Sequence, residues 1–207
     1  MLITVSRQYG AGGSEVAGRA ADLLGWRLVD NELLERVAAR TGISAEDMAG
    51  IEERTPSFIE RLARVLATAT PDLFPPATGT VPELSEATLV RITEAVVEEA
   101  ARAGRVILVG RAAPAVLSRE RDALHVKLVA SKGFRTRVTA ERLGLDLKEA
   151  ERVMLQTDAQ RERYHREHYA RDWADPVGYH IVLNTERLGY DGAAELIVAE
   201  ARRRGWK

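Results

Sequence analysis

The residues best suited to chemistry stand at the start of the chain. Ser6-Arg7-Gln8-Tyr9-Gly10-Ala11-Gly12-Gly13-Ser14 follows the apolar run Leu2-Ile3-Thr4-Val5 and passes directly into Glu15-Val16-Ala17-Gly18-Arg19-Ala20-Ala21-Asp22-Leu23-Leu24. That order reads as strand, glycine-rich turn and helix. Gly10, Gly12 and Gly13 allow backbone conformations closed to residues with a Cβ, so successive N–H groups can converge on an anion at the positive end of the helix. Phosphate is the natural anion for such a nest. Against the G-x-x-x-x-G-K-[ST] phosphate-loop spacing, Gly12 fills the second glycine position and Ser14 the Mg²⁺-binding hydroxyl position. Arg7 stands in place of the first glycine and Gly13 in place of the lysine. Arg7, Arg111 or the arginines further along are available to supply the missing charge. The plain alternative is a turn that serves chain geometry alone.

Three further places carry candidate chemistry. Asp30 closes the short strand candidate Trp26-Arg27-Leu28-Val29, where ligands of parallel sheets bind, although it also suits a helix N-cap. Arg111 follows Val106-Ile107-Leu108-Val109-Gly110 in the same way, and its planar fork suits a phosphate or a structural carboxylate. The stretch from Asp158 to Tyr169 is dense in basic groups, with Arg161, Tyr164, His165 and His168 on one broad face and Arg163 and Arg166 beside it. A solvated face and a phosphate clamp both fit that pattern. His125 lies inside a strand pattern, where packing suits it better than catalysis.

A chain of 207 residues suffices for one domain with a sizeable core. A net charge of −1 argues against nucleic-acid binding through bulk charge. The absence of cysteine removes disulfides, thiolate nucleophiles and cysteine-held metals, and the four histidines lack zinc spacing. The N-terminal apolar run is too short for a signal peptide or membrane span, so a cytoplasmic protein without membrane partners is expected. Strand candidates at Leu2–Val5, Trp26–Val29, Arg105–Val109, Ala123–Ala130 and Tyr179–Leu183 alternate with helical stretches, among them Ser85–Ala103, one opening at Leu147 and a last one from about Asp191 to Arg204. The expected fold is therefore α/β, a five-stranded parallel doubly wound sheet. Residues 1–40 hold the loop and first strand–helix–strand unit, 41–83 an inserted helical segment with a proline-rich loop, and 84–130 the core. Residues 131–172 form a helical lid region and 173–207 the last strand and helix. Apolar faces in 44–66 fit a lid's underside or a homodimer seam equally well.

With these residues in view, the chain resembles the cytidylate kinase-like family, a branch of the phosphate-loop nucleoside-monophosphate kinases. The resemblance spans nearly the whole chain. It is carried by Ile3 to Gly13, by Val29-Asp30, by Val109-Gly110-Arg111, by Asp158-Ala159-Gln160-Arg161 with Tyr164, and by Trp173-Ala174-Asp175-Pro176 through Tyr179 to Leu183-Asn184-Thr185. It implies transfer of the ATP γ-phosphoryl group to a nucleoside monophosphate such as CMP or a related small phosphorylated acceptor. Donor phosphates and Mg²⁺ would sit on Gly10, Ala11, Gly12, Gly13 and Ser14. Asp30, Arg111, Asp158 and Arg161 would hold the acceptor, and Arg135 and Arg163 would draw in from the lid. Arg7, Arg111, Arg161 and Arg163 are thus the catalytic candidates. The departures are Gly13 for the loop lysine, Glu15 for a hydroxyl residue, Val109 and Ala112 for the aspartates flanking Gly110-Arg111, and Met154 for an arginine. They leave a second reading open, a nucleotide-binding regulatory protein with little turnover.

Overall fold

The computed structural model describes residues 1–30, 86–110 and 112–206. Arg111 and the 41–83 segment, with the roles expected of them, lie outside the described residues. The chain divides into two compact units, Met1–Glu32 with Val97–Lys207, and Leu33–Val96. All five described strands belong to the first.

Short apolar runs, buried at nearly every position in β1, β3 and β4, build the sheet. β1 (Leu2–Arg7), β2 (Arg27–Asp30), β3 (Val106–Val109), β4 (Ala123–Val129) and β5 (Ile181–Asn184) pair in the order β2-β3-β1-β4-β5, every pair parallel. β1 runs two residues beyond its expected end at Val5, because Ser6 and Arg7 continue the ladder opposite Lys127 and Leu128. As the central strand it is buried on both faces. Ile3 and Val5 join Ile107, Val109, Leu124, Val126 and Leu128 on one face, whereas Leu2 joins Val106, Leu108 and Ala123 on the other.

The first face is covered by α1 (Gly13–Leu24) and the C-terminal helix. α1 presents Val16, Ala17, Ala20 and Ala21, and the C-terminal helix presents Ala193, Ala194, Ile197, Val198 and Ala201, so that small side chains let the two helices approach closely. Beneath the other face lie Val97, near the end of α2 (Glu86–Ala103), and the short α3 (Ala113–Val116). α4 (Lys132–Leu143) and α5 (Leu147–Tyr169) form a hairpin. Ser131 caps α4 by accepting from the Phe134 N–H, and Asp146 caps α5 by accepting from Lys148 and Glu149.

The starts of the last two elements also differ from the sequence expectation. β5 begins at Ile181 rather than Tyr179. The C-terminal helix α6 (Thr185–Arg203) starts six residues earlier than expected, because the Asn184 side chain accepts from the Glu186 and Arg187 N–H groups and so opens a first helical turn. Gly189 then breaks the helix with φ 69 and ψ 171 before it resumes.

Candidate functional site

The glycine-rich loop emerges from the carboxyl end of the central strand, where ligands of open α/β sheets bind. Gly12 is the N-cap of α1 with a left-handed φ of 74 and offers no side chain as a cap. The helix itself supplies no acceptor to the first-turn N–H groups of α1, so its positive end faces the loop. The Ser14 hydroxyl oxygen is buried in that first turn without a hydrogen-bond partner among the described residues.

The loop is held from several sides. Asp158 of α5 accepts from the Tyr9 N–H at 2.8 Å and pairs with Arg135 of α4 at 2.6 Å. Arg135, only 6% exposed, also donates to the carbonyls of Tyr9 and Ala130. Arg161 donates to the Arg7 carbonyl at 2.9 Å, and its guanidinium lies 5.6 Å from the Tyr9 ring centroid, which Arg142 approaches to 4.5 Å. At the far end of the loop, the Thr185 hydroxyl donates to the Ala11 carbonyl at 2.9 Å. A Cβ on Gly10 would come within 2.7 Å of the Arg135 carbonyl oxygen, and one on Gly12 would overlap the Tyr190 ring. The loop is thus packed so closely that only glycine fits at either position.

Of the residues singled out in the sequence, Arg7, Gly10, Ala11, Gly12, Gly13, Ser14, Arg135, Asp158 and Arg161 come together here. Asp158, Arg161 and Arg135 meet the loop through its backbone. Asp30, 3% exposed, ends β2 opposite Val109, on the same face of the sheet as Arg7. Arg163 is exposed two residues beyond Arg161, on another side of α5, and makes no hydrogen bond or ion pair among the described residues. Thr185, Arg142 and Tyr190 were missed. A threonine after a strand or a tyrosine in a helix carries no local signal of contact with a loop more than 170 residues away.

The opposite face of β1 and β4 is polar just behind the loop. The Trp173 indole N–H donates to the Ser6 hydroxyl at 2.9 Å, and the Tyr179 hydroxyl donates to the Trp173 carbonyl at 3.0 Å. The Lys127 ammonium donates to that same carbonyl and lies over the rings of Trp173 and Tyr179. Burial pulls Lys127 down to about 8, against the partial support of Asp158 and Asp172. His165 is lowered to about 4, first by burial and then by the charges of Lys127 and Arg171. His125, bonded to Thr4 at 2.8 Å, is also lowered to about 4, by burial and then by His180. These groups support the loop's parent strand from beneath.

A parallel sheet ordered β2-β3-β1-β4-β5, with a glycine-rich loop between its central strand and a helix, defines a phosphate-loop kinase fold. Residues 2–187 match the model of the cytidylate kinase-like family, and the chain belongs to that family. Three solved structures share the fold. An uncharacterized protein from Eubacterium ventriosum ATCC 27560 is 20% identical with a TM-score of 0.68, over 98% of each chain. A shikimate kinase from Bacteroides thetaiotaomicron is 15% identical with a TM-score of 0.55, again over 98% of each chain. A shikimate kinase from Acinetobacter baumannii in complex with shikimate is 15% identical with a TM-score of 0.54, over 100% of this chain and 94% of that one. No curated protein matches the chain. No helix among the described residues is long and apolar enough to cross a membrane.

Proposed function

We propose that the protein is an ATP- and Mg²⁺-dependent phosphotransferase whose acceptor is a nucleoside monophosphate such as CMP or a related small phosphorylated molecule. The observation that carries this reading is the Ser14 hydroxyl, buried and without a partner among the described residues in the first turn of α1. Leaving a buried hydroxyl unsatisfied costs about 1–3 kcal/mol, an expense that a bound ligand removes. Family membership adds to it.

In the reaction, an acceptor phosphate oxygen forms a bond to the γ-phosphorus as the bond from that phosphorus to the β,γ-bridging oxygen breaks. ADP departs with the electron pair. The N–H groups of Gly12, Gly13 and Ser14 bind the donor phosphates, while Asp158 and Arg135 fix the loop's shape through Tyr9. Asp30, Arg111 and Arg161 form the acceptor set. Ser14 would hold Mg²⁺ through its hydroxyl. When bound, that ion neutralises charge on the β- and γ-phosphates.

Purified protein with ATP, Mg²⁺ and each nucleoside monophosphate in turn is expected to release ADP above the no-acceptor control for at least one of them. No release from any acceptor, with ATP still bound in calorimetry, favours the regulatory reading that Gly13 in the lysine's place motivates. Absence of both binding and release sinks the phosphotransferase.

A further inference from the structure

The lysine missing at position 13 is replaced by a side chain that already occupies its path. A Cβ built on Gly13 would lie 2.5 Å from Arg7 Cγ, 3.0 Å from its Cδ and 3.1 Å from its Cβ. The stem of Arg7 therefore runs through the space in which any side chain of residue 13 must begin. Its far end is fixed equally well, since a Cβ on Gly110 would overlap Arg7 Nη1. Gly110 follows β3 with a left-handed φ of 81 and donates its N–H to the Val5 carbonyl, so it sits at the carboxyl edge of the central strands. It is also one residue past Val109, the register partner of Asp30.

We propose that Arg7 is the catalytic cation of the site: its guanidinium, laid from the glycine loop towards Gly110, takes the place of the phosphate-loop lysine on the donor's outer phosphates. This rests on the phosphotransferase reading and deepens it. Gly13 is then a glycine because Arg7 needs its Cβ volume, so the loss of the lysine and the gain of the arginine are one structural change, whereas the left-handed φ of Gly110 calls for glycine in any case. Arg135 is buried against two carbonyls and Asp158, and Arg161 is turned to the Arg7 carbonyl. Arg163 faces solvent. Arg7 also differs from a lysine in kind, because its planar fork can bridge two phosphate oxygens at once.

The spatial argument gives a reciprocal test. Binding of Mg²⁺-tripolyphosphate and of ADP is measured by calorimetry for wild type, Arg7→Ala, Arg7→Lys, Gly13→Lys and the double variant Arg7→Ala/Gly13→Lys, each with its melting temperature. Arg7→Ala is expected to weaken tripolyphosphate binding about tenfold or more, as removal of a charge-assisted hydrogen bond does. Arg7→Lys retains part of the affinity and guards against a folding artefact. Gly13→Lys alone is expected to lower the melting temperature without tightening binding, because the new side chain meets the Arg7 stem. In the double variant the lysine has its path back, and affinity rises several-fold over Arg7→Ala. Arg7→Ala binding within about twofold of wild type overturns the proposal. So does a double variant no better than Arg7→Ala. Wild-type protein that binds neither tripolyphosphate nor ADP overturns the nucleotide reading itself, and Arg7's task with it.

Discussion

The two faces of the sheet are made by alternate residues of the same strands, yet they are built on different chemistry. On the α1 and α6 side, Ile3, Val5, Val126 and Leu128 meet alanine-rich helices in a dry core. On the other side their neighbours are Thr4, Ser6, His125 and Lys127, all buried and all bonded to polar groups. The dry face gives the unit its stability through burial and close packing. The polar face lies behind the loop and holds the strand end by directional bonds, which specify position more than they add net stability.

The largest contrast is therefore expected from one deletion on each face. Ile197→Ala, at a fully buried position of α6, leaves a cavity and should cost about 2–5 kcal/mol in urea unfolding. Ser6→Ala removes the acceptor of the Trp173 indole N–H and should cost about 1–3 kcal/mol. All three tryptophans, Trp26, Trp173 and Trp206, lie in the unit that contains both changes, so their fluorescence follows its unfolding. A Ser6→Ala loss larger than that of Ile197→Ala would reverse the division of labour between the faces.

How much of this was legible in the sequence follows from the range of the interactions. The strand, the glycine loop and α1 are contiguous, so period-two and helical patterns with glycines between them suffice to place Gly10 to Ser14. The parallel sheet followed from strands alternating with helices. The hold of Asp158 and Arg135 on Tyr9 was not legible as such, because it joins three separate elements through backbone atoms that carry no side-chain code. The passage of Arg7 along Gly13 and Gly110 was hidden for a related reason. The sequence shows which side chains are absent, but not which neighbour fills the space. Lys127 in a strand pattern suggests an exposed edge, and only the 171–180 segment folding over it makes it a buried cation. The early start of α6 was missed because its first turn is opened by the Asn184 side chain and is separated by the Gly189 kink from the longer helix that follows.

A smaller effect should separate the faces by pH. His165 is held neutral, at about 4 against an ordinary 6.5. In this range the unfolded chain binds the proton more readily, so the contribution is complete above about pH 6.5 and is lost as pH falls towards 4. Between pH 7 and 4.5 that loss is on the order of 2–3 kcal/mol for one histidine. His165→Phe, which keeps a ring against Trp173, should make the acid-induced fall in urea midpoint shallower than in wild type. Equal falls in the two proteins would mean that the polar face does not exclude the proton. Ile197→Ala, on the dry face, should shift the whole curve without changing its slope.

The smallest expected effect concerns the group that looks most costly. Lys127 is 3% exposed, and its ammonium has the Trp173 carbonyl as acceptor together with the faces of Trp173 at 3.9 Å and Tyr179 at 4.9 Å. Burying the charge is unfavourable, whereas the carbonyl and the two rings offset it, and such balances often come out near zero. Lys127→Met removes both sides of that balance, and its thioether keeps contact with the rings. Its stability at pH 7 should therefore lie within about 1 kcal/mol of wild type. The alkaline limb reports the charge more directly. Because burial holds Lys127 at about 8, below its ordinary 10.5, the folded state releases the proton first, and wild type should gain stability as pH rises through that window. Lys127→Met should lack that gain. A loss of more than about 3 kcal/mol at pH 7 would show instead that the ammonium organises Trp173, and hence Ser6 one residue before Arg7, so that the polar face would depend on its charge as the dry face depends on its volume.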